Sequence, residues 1–216
     1  SSYLQLFIGD ERQFISIGLV LFTWLGLSAI GAFISKNRAE IELFPIVGWA
    51  MVANIYTLLG VFTTIKFSVI FWILAITSGI LLIWTYLKKQ RIVPSFFLHL
   101  IILLLPLLLL TASMDASQWD EFSHWLPIQR FMIETGAFPS NNNPASGTPL
   151  YSGYPNAWPI LAMLPSFAAS RMLEMSGALF NLMLLTVIGI VWVKIFFHFA
   201  KINYTEINVW GISALA

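Results

Sequence analysis

The chain has 216 residues, of which 58% are hydrophobic and 10% charged, with a mean hydropathy of +0.82 and a formal net charge of +1. That is far more apolar and far less charged than a soluble domain, and it predicts an integral membrane protein of the all-α, polytopic class. Charges of both signs are scattered rather than gathered into a basic stripe, which excludes a nucleic-acid backbone as partner, and the absence of cysteine excludes a disulfide framework and a thiolate metal site.

A spanning helix needs about 20 predominantly apolar residues. On that measure the predicted elements are 14–34, 43–65, 67–87, 96–112, 157–173 and 176–200, with a further apolar segment starting near Ile207. The chain is expected to be a fragment carrying about six spans and the start of another. Little more than Lys66 separates the second and third runs, so they form a tight hairpin. The fourth run is leucine-dense and contains Pro106, a kink that neighbouring helices accommodate in a bundle. The run 157–173 is short and carries Pro159 and Pro165; it either spans with a kink or only dips into the bilayer. No internal repeat is visible.

Orientation follows the bias of Lys and Arg toward the cytoplasm. The compact cluster Lys88, Lys89 and Arg91 is assigned to the inside, with Lys36, Arg38 and Arg171; Arg12, Lys66, Arg130, Lys194 and Lys201 then fall outside. The long polar stretch that starts at Trp119 is therefore expected on the extracytoplasmic face.

That stretch, within a loop spanning 113–156, is where the polar chemistry concentrates. Residues 120–135 support a helix that stops at Gly136. At about 100° per residue, Asp120, Ser123, His124, Arg130 and Glu134 share one side, and Phe122, Trp125, Leu126, Met132 and Ile133 the other. This predicts an amphipathic juxtamembrane helix with its apolar side at the membrane boundary, broken near Leu126 by Pro127. Residues 137–153 are rich in Asn, Pro, Gly and Ser and read as an irregular loop. The structural alternatives are plain. Asp120 and Glu121 suit a helix start in any protein, and Trp119, Trp125 and Trp158 suit an interfacial belt. Asp120 and His124 have an i, i+4 spacing that a divalent metal can use, but two ligands of mixed type do not define a site, and no cofactor is assigned.

The strings Trp119-Asp120-Glu121-Phe122-Ser123-His124-Trp125 and Gly153-Tyr154-Pro155-Asn156, separated by this loop and preceded by an apolar helix, resemble the first extracytoplasmic loop of GT-C-fold membrane glycosyltransferases of the bacterial, polyprenyl-phosphate-sugar-dependent type. Asn156 stands where a second proline is common in their Tyr-Pro element. The resemblance covers roughly 96–216, the first part of a catalytic membrane core, and leaves 1–95 as an additional three-span N-terminal bundle.

The resemblance implies transfer of a sugar from a polyprenyl-phosphate donor to a glycan, lipid or protein acceptor, outside the plasma membrane. A lipid phosphate leaves without protonation, whereas an acceptor hydroxyl must lose a proton, so one carboxylate serves as general base and the anomeric centre inverts. By resemblance that base is Asp120, with Glu121 orienting the acceptor or holding the helix end. His124, Arg130, Tyr154 and Lys201 are assigned to substrate binding, and so is Glu206, in a region where some family members carry a second acidic residue; its alternative is an exposed carboxylate before a helix. The competing readings are a transport or scaffold subunit, and a related lipid-linked glycan polymerase or ligase. Apart from His99, the first four runs contain no ionisable residue, which disfavours an ion path.

Overall fold

The computed structural model describes residues 11–35, 40–115, 125–140, 142–145 and 156–200. Among these the elements are helical: α1 (Glu11–Ile34), a 3-10 turn (Ile41–Leu43), α2 (Phe44–Phe62), α3 (Phe67–Leu87), α4 (Phe97–Ser113), α5 (Leu126–Thr135), α6 (Ala157–Ala169) and α7 (Ser176–Ala200). Four helical stretches are long and apolar enough to cross a membrane, Arg12–Ile34, Ile41–Phe62, Phe67–Leu87 and Ser176–Ala200, as an integral membrane protein requires. Helices α4 and α6 are shorter, with 17 and 13 residues.

The α1 helix is the post around which the others stand. Its Val20, Trp24, Leu27, Ser28 and Ala29 are buried, and it packs against α2, α3, α4, α6 and α7. Its closest partner is α2, because glycines remove the side chains at their crossing. A Cβ on Gly31 would sit on the Phe44 carbonyl, and one on Gly48 would sit on the Leu27 carbonyl. Each helix thus presents a bare backbone patch to the other's main chain, which is how apolar helices gain dispersion contact where lipid offers no hydrophobic drive.

The ends of the bundle can be read from side-chain contacts. Gln13 donates from Nε2 to the Leu109 carbonyl at 2.9 Å, so the start of α1 lies beside the end of α4. The α2–α3 hairpin shares this end of the bundle with Gly136, whose carbonyl accepts from Phe67 N at 3.0 Å. At the opposite end, Ile41, Glu42, Pro94, Phe97 and Ile190 line one cavity. There Lys194 forms an ion pair with Glu42, whose side chain is 3% exposed, and lies 4.0 Å from Glu40.

This arrangement corrects two orientation expectations. Lys194 belongs with Glu42 and the Lys88 connection, not with Lys66, and Arg171 belongs with Lys66 and Arg130. The reason is α6, which does not cross. Its first residue, Ala157, accepts from Trp49 Nε1 at 2.9 Å, at an exposed position beside the first third of α2. Its last turn reaches toward the Phe67 end, where Phe167 meets Phe71 with ring centroids 5.4 Å apart. The chain turns there at Ser170, in the left-handed region with φ 52°. The α6 helix, 13 residues long, therefore covers only part of the height of the bundle, and α7 runs away from α5 for 25 residues, about 37 Å at 1.5 Å per residue.

Two stability outcomes follow from this packing. Gly48→Ala is expected to cost about 3 kcal/mol or more, since the added methyl meets backbone that cannot rotate away; Gly79→Ala, with nothing within 4 Å, is the neutral control, and thermal unfolding in detergent compares them. Lys194→Met strands the buried Glu42 carboxylate and should cost about 3–5 kcal/mol, most of it recovered when Glu42→Gln is added.

Candidate functional site

The α5 helix begins at Leu126, so Pro127 falls in the first turn, where no in-helix donor is required of it. It ends at Gly136, with φ 70° and its N–H bonded to the Met132 carbonyl at 3.0 Å. The predicted stop is thus a left-handed glycine cap. Lys66 Cβ lies 3.2 Å from where a Gly136 Cβ would be. Phe138, just beyond, packs edge-on to Phe67 at 4.7 Å. A glycine cap and an aromatic plug together hold α5 to the α2–α3 hairpin.

The apolar side of α5 does not face lipid. Ile128, Gln129, Phe131 and Met132 are buried in protein, mainly against α6, while Arg130 and Glu134 are exposed. Relative to the expected apolar arc, the docked face is rotated toward Ile128 and Phe131. Gln129 lies within it at 2% exposure, and its amide is what the docking turns on. Gln129 Nε2 lies 3.0 Å from the Ala162 carbonyl, 3.3 Å from Ser166 Oγ and 3.4 Å from Ser176 Oγ. Its two protons therefore serve three acceptors on α6 and α7. Leu173 N donates to Ser166 Oγ at 3.0 Å. Ser176 Oγ lies 2.6 Å from the Ala162 carbonyl and 2.7 Å from that of Leu173, one proton between two acceptors. Ser170, Arg171 and Glu174 of the α6–α7 turn are exposed, but Ser166, Leu173 and Ser176 beneath it are buried, and three polar side chains meet the backbone needs there.

Sequence inspection passed over Gln129, although its signal is present: at about 180° from Asp120 it is the one amide in the middle of an apolar arc. Glu174 and Asn181 were passed over too. Arg130 reaches Glu174 at 3.8 Å, with both side chains about half exposed, an ion pair of little worth to stability.

Two adjoining clefts flank α5. One, of about 220 Å³, is bounded by Trp125, Gln129, Trp158, Glu174, Gly177 and Asn181. The other, of about 310 Å³, is bounded by Pro127, Arg130, Glu134, Ala145 and Glu174. Trp125 ends the first string singled out in the sequence, and Trp158 follows the Gly153-Tyr154-Pro155-Asn156 element closely; the fold brings them to one cleft. Trp158 is fixed by Trp49, edge to face at 6.0 Å.

Of the assigned site residues, Arg130 is described. Asp120, Glu121, His124, Tyr154, Lys201 and Glu206 lie outside the described residues. Asp120 and Glu121 precede Leu126 by no more than six residues, a reach of at most about 20 Å. The α7 helix, which precedes Lys201 and Glu206 in the chain, ends at Ala200 on the side of the bundle away from Arg130.

The fold and clefts define a polytopic helical membrane protein with a short apolar helix and a docked amphipathic one. Comparison with family models, with curated proteins and with solved structures finds no match. Gln129→Leu is expected to cost about 1–3 kcal/mol, the range for a buried hydrogen-bonding group lost. It should also raise hydrogen exchange across Leu126–Thr135 selectively, whereas Arg130→Ala leaves thermal stability within about 0.5 kcal/mol.

Proposed function

We propose that this chain belongs to a GT-C-like membrane glycosyltransferase that uses a polyprenyl-phosphate sugar at the extracytoplasmic face, and that the Phe67 end of the bundle is that face. The reading is supported by the convergence of Trp125 and Trp158 on one cleft, because the two sequence elements that resemble this family are the ones that lead into it. In this reading Asp120, a few residues ahead of α5, removes the acceptor proton as the acceptor oxygen attacks the anomeric carbon, and the lipid phosphate departs with the bonding electrons. Glu121 orients the acceptor. Arg130 sits half exposed at the mouth of the adjoining cleft in a long pair with Glu174, where its guanidinium meets charge developing on the phosphate. His124 and Tyr154 line the donor. A related polymerase or ligase would share this donor class and differ in acceptor.

A transport subunit is the second reading, and the short α6 favours it, because helices that cover only part of a bundle's height also line transport paths. The Asp120→Asn substitution in the full-length protein separates the two. At unchanged membrane levels it should abolish one envelope glycan or sugar-modified lipid, with the transfer rate down by about 10²–10⁴-fold. Glycans intact in the variant but lost in cells lacking the protein would remove Asp120 as the base. Glycans intact even in cells lacking the protein would favour transport.

A further inference from the structure

We propose that the cleft between α5, the start of α6 and the first turns of α7 is a subsite for one neutral sugar ring, held by Trp158 and Asn181. This rests on the reading of the donor as a lipid-linked sugar and names the residues that recognise its sugar. Asn181 lies early in α7, next to Phe180, which stacks on Trp24 at 6.5 Å near the middle of α1. Its side chain is exposed to the cleft and makes no hydrogen bond among the described residues. Trp158 Nε1 likewise has none there, although the ring is held against Trp49 and lies 3.6–3.7 Å from the position of a Gly177 Cβ. Both groups are thus accessible in the cleft for hydrogen bonds to a ligand.

The chemistry of the lining selects the ligand. An indole offers an apolar face for the C–H side of a sugar ring and an N–H for a hydroxyl. The amide of Asn181 both donates and accepts, and the Glu174 carboxylate accepts. Arg130 balances the charge of Glu174 at 3.8 Å, so the lining suits neither a phosphate nor a free cation. Gly177 adds no side chain to the recess, whose open space is about 220 Å³. The ring can come from the lipid-linked donor or from an acceptor glycan.

The test uses the full-length protein in detergent, with farnesyl phosphate bearing glucose, mannose, galactose or arabinose, sugar-free farnesyl phosphate, and the corresponding soluble methyl glycosides. The wild type is expected to bind at least one sugar-bearing lipid tenfold or more tightly than sugar-free farnesyl phosphate. Asn181→Leu and Gly177→Leu should each erase that preference while sugar-free lipid affinity stays within twofold, which also shows that the variants are folded. Methyl glycosides that bind the wild type and not Asn181→Leu, with no lipid-linked sugar bound, would uphold the subsite for an acceptor and defeat the donor reading. An undiminished preference in both variants, or no sugar bound in either form, would overturn the proposal.

Discussion

Everything at the α5 end of this bundle depends on a buried polar network beneath the α6–α7 turn, where Gln129, Ser166 and Ser176 are shut away from solvent. Helix-end N–H and C=O groups that face water bond to it, whereas those covered by protein must find partners there. In α6 the problem is sharpened by Pro165, which has no N–H to give the Leu161 carbonyl. Ser166, Ser176 and Gln129 together meet the Ala162 carbonyl, the Leu173 N–H and the Leu173 carbonyl. Because Gln129 comes from α5, the same bonds that make the turn tolerable also dock the amphipathic helix. Turn and docking are one polar network.

The opposite end relies on a different device. Glu42 is buried at the start of α2 and Lys194 comes to it from the last third of α7. An isolated carboxylate there would be prohibitive, and the pair makes it tolerable without necessarily adding net stability. Its value is in registration: it fixes which end of the bundle α7 reaches. Between the two ends, the Gly31 and Gly48 contacts let α1 and α2 approach to backbone distance. One buried core then runs from Ile17 in α1 to Val187 in α7.

The two clefts beside α5 follow from this construction. Because α6 starts at Ala157, part way along the bundle, its first turn presents Trp158 to the cleft. The small residues Gly177 and Ala178 at the start of α7 leave that space open, and α5 covers it from one side. The result is a recess with an aromatic wall and polar groups from Gln129, Glu174 and Asn181. Sidedness is decided less by counting charges once α7 is placed: among the described residues Lys88, Lys89, Arg91 and Lys194 share one end and Arg12, Lys66, Arg130 and Arg171 the other.

The sequence by itself determined the helical membrane class, the hairpin at Lys66, the stop at Gly136 and the extents of α1, α3 and α7, because these rest on local properties: apolar run length, glycine's access to positive φ and the helical period. Much of the loop chemistry it proposed, from Asp120 to Tyr154, falls outside the described residues, and Arg130 is the assigned residue that can be located. What tertiary structure alone decided is which way α6 runs and therefore where α7 ends. A 13-residue apolar helix has the same composition whether it crosses or turns back, and the difference lies in Gln129, Ser166 and Ser176, residues far apart in the chain that become informative only when they meet. The same holds for Asn181 and Trp158, each ordinary alone and distinctive as two walls of one cleft.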